Sequence, residues 1–147
     1  MKKFKFKLAP VLRVREHEEE QQKMRYAQAL QNKTRLEEQA EAIKSNIQDI
    51  NDRDIRSQDV IRPTVFQQHY AGVHEMHKKL KSVNEQLARA ENEAEAERKK
   101  LVEANKRTKI IKTLESQEKE TFFKELQRLE QEQLNEIATQ MYNSYEK

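Results

Sequence analysis

The sequence predicts an all-α fold, a long two-helix antiparallel coiled-coil hairpin whose second helix is longer than the first. Two ladders of apolar residues predict it, because their steps of three and four residues are the spacing of a coiled-coil seam. The first ladder comprises Leu36, Ala40, Ile43, Ile47 and Ile50. The second comprises Val73, Met76, Leu80, Val83, Leu87, Ala90 and Ala94, and it resumes at Leu101, Ala104, Thr108 and Ile111.

The two ladders mirror one another about the region of Pro63. Folding back pairs residues whose numbers add up to 123, so Ile50 meets Val73 and Leu12 meets Ile111. Sliding one helix by seven residues would also place apolar seam residues opposite one another. The charged residues beside the seam are therefore expected to determine the register. The acidic run at 16–20 then lies opposite the basic stretch at 98–109, and the basic start lies opposite Glu115, Glu118 and Glu120.

These patterns predict a single coiled-coil domain over residues 1–147. Helix one is expected at about residues 10–56, since Pro10 suits the first turn of a helix. Breaking and capping residue types predict a bend at about 57–64. Helix two is then expected at about residues 65–141.

The two arms of the hairpin are expected to be unequal in length and in strength. From Glu115 onward helix two has no partner, which leaves an overhang of about 30 residues, or roughly 45 Å. The first half of helix one is expected to pack less stably, and either to fray or to bind a partner protein. Its polar seam residues are Arg15, Glu19, Gln22 and Lys33.

Composition argues against a compact globule and against catalysis. Hydrophobic residues reach 35% and charged residues 37%, with one glycine and no cysteine. One glycine cannot supply a phosphate-binding loop, and carboxylates on helix surfaces lack a pocket, so neither an enzyme nor a cofactor is expected. The four histidines lack a partner motif for a metal site. No apolar run approaches the length of a membrane span, so a soluble cytoplasmic protein is expected.

Two places suggest contact with other molecules. The aromatic cluster after the bend, with Phe66, Tyr70, Val73, His74 and His77, either closes the end of the seam or anchors an interface. Residues 1–15 carry six basic groups and no acidic group. This start is expected to meet an acidic protein surface, ahead of anionic lipid or nucleic acid.

Several segments resemble the FliJ family, the coiled-coil proteins of the flagellar type III export apparatus. The start FKFKLAPVLRVREHEEE is similar to the family's F-x-L-x-P-V-L segment and the acidic helix after it. The segments QQHYAGVHEMHKKL and RLEQEQLNEIA are similar to its tyrosine-bearing turn and its closing acidic motif. The resemblance covers nearly the whole chain.

The resemblance implies a non-catalytic stalk at the cytoplasmic face of the inner membrane. Such a stalk enters the hexameric ring of a FliI-like export ATPase, contacts a FlhA-like export gate protein, and handles empty substrate chaperones. On this chain the implied gate contacts are Phe66, Tyr70, Val73, His74 and His77. The implied ring contacts are Lys3, Lys5, Lys7, Leu8, Leu12, Ile110, Leu114, Phe122, Phe123, Leu126 and Leu129.

Two other classes of function stay open. A structural or tethering coiled coil, dimeric through the overhang, would use the same helices, and it includes the equivalent stalk of an injectisome. A nucleic-acid binder would use the basic stretch at 98–112, which lacks the interleaved aromatic residues that stack on bases.

Overall fold

The structure of the chain, a computed structural model, describes residues 2–56 and 63–146. It contains two α-helices, α1 at Ala9–Arg56 and α2 at Pro63–Tyr145. The helices have 48 and 83 residues, and no strand occurs among the described residues. The predicted all-α fold with a longer second helix is therefore confirmed. Of the predicted bend, residues 57–62 lie outside the described residues.

The helix ends follow from local chemistry. The N–H of Ala9 donates to the carbonyl of Phe6 at 3.2 Å, so α1 begins one residue before Pro10. α2 begins at Pro63 instead of residue 65, because proline has no N–H to satisfy and its φ suits a first turn. α2 continues past residue 141 to Tyr145, since no proline or glycine interrupts the sequence after Gly72.

The chain divides into two compact units. Unit 1 comprises Met1–Glu20 and Glu103–Lys147, and unit 2 comprises Gln21–Val102. Each unit therefore combines a part of α1 with a part of α2. Neither helix, over its described residues, holds an apolar stretch long enough to cross a membrane.

The predicted ladders form the seam of unit 2. Its most deeply buried apolar residues are Leu36, Ala40, Ile47, Ala90 and Ala94. Half-buried residues continue both ladders at the same steps: Ile43, Ile50, Val73, Met76, Leu80, Val83 and Leu87. Ile43 and Val83 line one recess, while Gln22 bonds to Glu97 further along the pair. Residue numbers thus fall along α1 as they rise along α2, which is the predicted antiparallel arrangement.

In unit 1 a non-helical segment before α1 extends the pairing. Residues 2–8, the N-terminal strap, lie beside α2, and the rings of Phe4 and Phe122 are 5.6 Å apart. Glu115, Phe122 and Leu126 are half-buried. The expectation that α2 lacks a partner from Glu115 onward was therefore wrong, because the strap accompanies α2 beyond the start of α1.

Full exposure begins later on α2. Every described residue from 127 to 146, the exposed segment, lies on the surface. At 1.5 Å per residue this segment is about 30 Å long. The part of α2 that has room for a partner is therefore shorter than the sequence suggested.

The polar seam residues of α1 are packed. Glu19 and Gln22 are each 8% exposed and hydrogen-bonded to side chains of α2. The expectation that this half of α1 frays or holds a partner at these two positions was wrong, because α2 supplies polar groups opposite them.

The sequence suggested that the basic stretch of α2 faces the acidic run of α1. In the structure several of these basic residues pair within α2. Between the helices of unit 1, Lys112 and Glu16 approach to 3.9 Å. Other cations of the basic stretch pair with acids one turn away on α2 itself, at Arg98–Glu95, Lys100–Glu97 and Lys106–Glu103. Residues three apart face each other on a helix, so local pairs form without help from α1.

Candidate interaction surfaces

The strap has two different sides. Its side chains alternate in exposure, with Phe4, Phe6 and Leu8 half-buried and the lysines between them exposed. Alternation of this kind is typical of an extended chain that lies on a surface, since successive side chains point to opposite sides. The apolar side is anchored by Phe4 on Phe122, whose ring is in turn 5.5 Å from that of Phe123 in a T-shaped arrangement. Lys3, Lys5 and Lys7 form the outer side.

A surface recess lies where the strap meets α2. Lysines of the strap and glutamates of α2 share its lining, which comprises Lys3, Phe4, Lys5, Gln117, Glu118, Thr121, Phe122 and Glu125. A hydrogen bond from Arg128 lowers the pKa of Glu125, so this carboxylate is charged at neutral pH. The recess therefore has an aromatic floor and a rim of both charges.

The predicted ring-contact residues fall into two groups in unit 1. Leu8, Leu12, Phe122 and Leu126 are half-buried, because they pack within the seam or under the strap. The apolar residues that reach solvent are Ile110 (60% exposed), Leu114, Phe123 and Leu129. The second group, together with the three strap lysines, forms what we call the unit 1 surface.

Sequence reasoning missed part of the exposed apolar area. Val11 and Val14 are exposed on α1 in unit 1, and Tyr142 and Tyr145 are exposed on α2. Val11 and Val14 lie beside the ladder position Leu12 without belonging to the ladder. An apolar residue that falls outside a coiled-coil seam is a signal of surface use that could have identified them.

The aromatic cluster of unit 2 forms one stripe on α2. Phe66, Tyr70, His74 and His77 follow one another at spacings of four, four and three residues, which places them on one helix face. The rings of Tyr70 and His74 stack with an interplanar angle of 7° and centroids 6.3 Å apart. Phe66 and Tyr70 are more than half exposed, whereas Val73 is half-buried in the seam. We call the four exposed residues the aromatic stripe.

The described residues contain no group of three or more histidine, cysteine, aspartate or glutamate side chains that could hold a metal ion. His74 is instead exposed with its ring stacked on that of Tyr70, and His77 is exposed about one turn further along α2. Both candidate surfaces therefore present apolar and polar groups on the outside of a packed seam, which is the chemistry of protein contact.

Comparisons with known proteins identify the family of this chain. No curated protein and no solved structure matches the chain. A family model described as FliJ, flagellar FliJ protein, matches residues 4–147. The match includes residues 4–8 of the strap, both helices, the aromatic stripe and all of the unit 1 surface except Lys3. The chain therefore belongs to the FliJ family of non-catalytic components related to flagellar protein export.

Proposed function

We propose that this chain is a stalk of the flagellar export apparatus. It inserts into the hexameric ring of the export ATPase, couples the ring to the export gate, and handles empty substrate chaperones. The unit 1 surface carries the proposal, because strap lysines and apolar side chains are both exposed in this unit, outside a seam that is already packed. Exposed apolar residues and lysines suit a partner that offers both apolar side chains and carboxylates.

The proposed mechanism needs no chemistry on the stalk itself. One copy of an asymmetric chain inside a six-fold ring presents different side chains to each ring subunit. Subunits that make different contacts are biased toward different conformational states, because a ligand shifts an equilibrium by its differential affinity for the states. The stalk thereby orders ATP hydrolysis around the ring.

Charge reversal of the strap tests the ring contact. We expect Lys3→Glu/Lys5→Glu/Lys7→Glu to raise the concentration of the chain needed for half-maximal stimulation of the export ATPase by about tenfold at low salt. The effect should shrink as ionic strength rises, because the lysines are exposed and screened. ATP turnover, measured against chain concentration at two salt concentrations, gives the answer.

A matched control reverses three lysines of unit 2, at Lys78, Lys79 and Lys81, which have the same charge and are also exposed. It should leave stimulation unchanged. Equal stimulation by the strap variant and the parent at low salt would remove the strap from the ring contact.

The aromatic stripe is the proposed contact for the export gate. Exposed aromatic residues on one helix face often carry most of the energy of an interface. We expect Tyr70→Ala/His74→Ala to weaken binding of the purified gate protein's cytoplasmic part by about tenfold or more. The matched control is Met24→Ala, an exposed apolar residue of the same unit away from the stripe. Calorimetric titration would contradict the assignment if both variants bound as tightly as the parent.

The alternative function is a structural or tethering coiled coil, which includes an injectisome stalk. The exposed segment favours it, since Leu134, Ile137 and Met141 lie uncovered there and could pair with a second copy. Light scattering separates the two functions, because the stalk is expected to be a monomer in dilute solution and the tether a dimer.

A further inference from the structure

Buried polar side chains interrupt the seam in both units. In unit 1 the amide of Asn105 donates to a carboxylate oxygen of Glu19 at 2.9 Å. The hydroxyl of Thr108, which is 2% exposed, lies 3.1 Å from the carbonyl oxygen of Ala104 on its own helix and 3.3 Å from that of Arg15 on α1. Asn105 and Glu19 thus supply a side-chain hydrogen bond across this part of the seam.

Unit 2 has a second arrangement of this kind. The amide nitrogen of Gln22 donates to the backbone carbonyl of Glu97 at 3.1 Å and also to its carboxylate. This hydrogen bond lowers the pKa of Glu97, so the acceptor is a charged carboxylate at neutral pH. The side chain of Glu97 is only 18% exposed, and Lys100 of its own helix lies 3.6 Å from it. Loss of the Gln22 amide would therefore remove one of the partners of a mostly covered carboxylate.

The apolar ladders alone do not determine how far α1 lies along α2. Both ladders repeat every seven residues, so Ala40 could pack in the layer of Met76 or Ala90 instead of Val83. Surface charge restrains such a slip weakly, because exposed ion pairs contribute little and several basic residues of α2 pair within α2.

A slip of seven residues would be penalised in both directions at Gln22. In place of Glu97 its amide would meet Ala104 in one direction and Ala90 in the other, and an alanine side chain accepts no hydrogen bond. Glu19 discriminates less, because Lys112 or Arg98 would take the place of its partner Asn105 and could pair with the carboxylate.

We propose that the hydrogen-bonded pair of Gln22 and Glu97 in the seam fixes the register of α1 on α2, and that the surface charges do not. Polar residues in the seam of a coiled coil specify register at some cost in stability. A slip would displace α1 by about 10 Å, which would carry the strap away from Phe122. The polar residues thereby also determine which residues share the unit 1 surface.

Disulfide trapping measures the register directly, because the chain has no cysteine of its own. Ala40→Cys/Val83→Cys reports the observed register. Ala40→Cys/Ala90→Cys and Ala40→Cys/Met76→Cys report the two slipped registers. Intramolecular disulfides are counted on non-reducing gels, where the monomer band excludes pairs between copies.

Each cysteine pair is placed in the parent and in Gln22→Leu/Glu97→Leu. Leucine keeps the seam apolar, so this variant is expected to stay helical by circular dichroism. We expect slipped disulfides to rise about tenfold or more over the parent, since a mismatch of polar groups in the seam no longer opposes the slip. Glu19→Leu, which leaves the pair of Gln22 and Glu97 in place, should give a smaller rise.

The matched control is Glu16→Gln/Lys112→Gln, which removes the ion pair between the helices of unit 1 and leaves the seam intact. It should form only the disulfide of the observed register. Two results would overturn the proposal: a double leucine variant that traps only the observed register, or a control variant that slips as much as the double leucine variant.

Discussion

Leu36→Ala is expected to lower the free energy of unfolding by about 2 to 4 kcal/mol. Leu36 is only 4% exposed in the seam of unit 2, and the next residue of the ladder, Ala40, is buried to the same degree. Truncation removes three carbon atoms from a packed layer and leaves a cavity that two long helices cannot fully close. Urea unfolding followed by circular dichroism at 222 nm measures the loss.

Leu30→Ala is the matched control for this prediction. Leu30 lies on the same helix in the same unit but is 38% exposed and outside the ladder. Its truncation should cost less than about 1 kcal/mol, because Leu30 is far more exposed than Leu36 and alanine favours the helix. Equal losses for the two variants would contradict the assignment of Leu36 to the seam.

Removal of residues 128–147 is expected to reduce stimulation of the export ATPase about tenfold or more, while stability changes by less than about 0.5 kcal/mol. All described residues in this stretch are exposed, so the seam loses no packing. Loss of function without loss of stability would follow, because the stretch holds Leu129 of the unit 1 surface and we extend the proposed ring contact to the exposed apolar residues after it.

Point variants make this prediction sharper. Leu134→Ser/Ile137→Ser replaces two exposed apolar residues, and Gln131→Ser/Gln133→Ser makes a matched change to polar residues of the same stretch. The first pair should weaken stimulation and the second should not. Full stimulation by the truncated chain would place the ring contact elsewhere, on the strap and the nearby part of α2.

The sequence predicted the seam well because a coiled coil depends on local spacing. Steps of three and four residues select one helix face whatever the rest of the fold does. For that reason Ala40, Ala90 and Ala94 were identified correctly, although alanine alone is a weak sign of burial. Even the polar members Glu19 and Gln22 belong to the ladder.

The contact between the strap and Phe122 was not predicted, because the strap has no helical period. The steps of three and four residues end where α1 begins at Ala9. Its alternation of lysine with Phe4, Phe6 and Leu8 is a period of two, which is the signal of an extended segment on an apolar surface. Without that signal, Phe122 and Leu126 were assigned to an uncovered overhang.

Most of the ion pairs of the basic stretch could not be predicted from the sequence, because opposite charges on facing helices look complementary there. In the structure Arg98, Lys100 and Lys106 reach acids on their own helix. Hydrogen bonds such as that from Gln22 to Glu97 depend on side-chain geometry across the seam. Sequence spacing can place both residues in the seam, but it does not show that they bond to each other.

The most direct test of the stalk function is ATP turnover by the purified hexameric export ATPase as the intact chain is added. The stalk proposal predicts saturable stimulation that levels off near one chain per hexamer, since one stalk occupies the centre of the ring. Turnover that does not change, under conditions where the hexamer forms and the chain is folded, would contradict the proposal. A tethering coiled coil would then be the better account of the two helices.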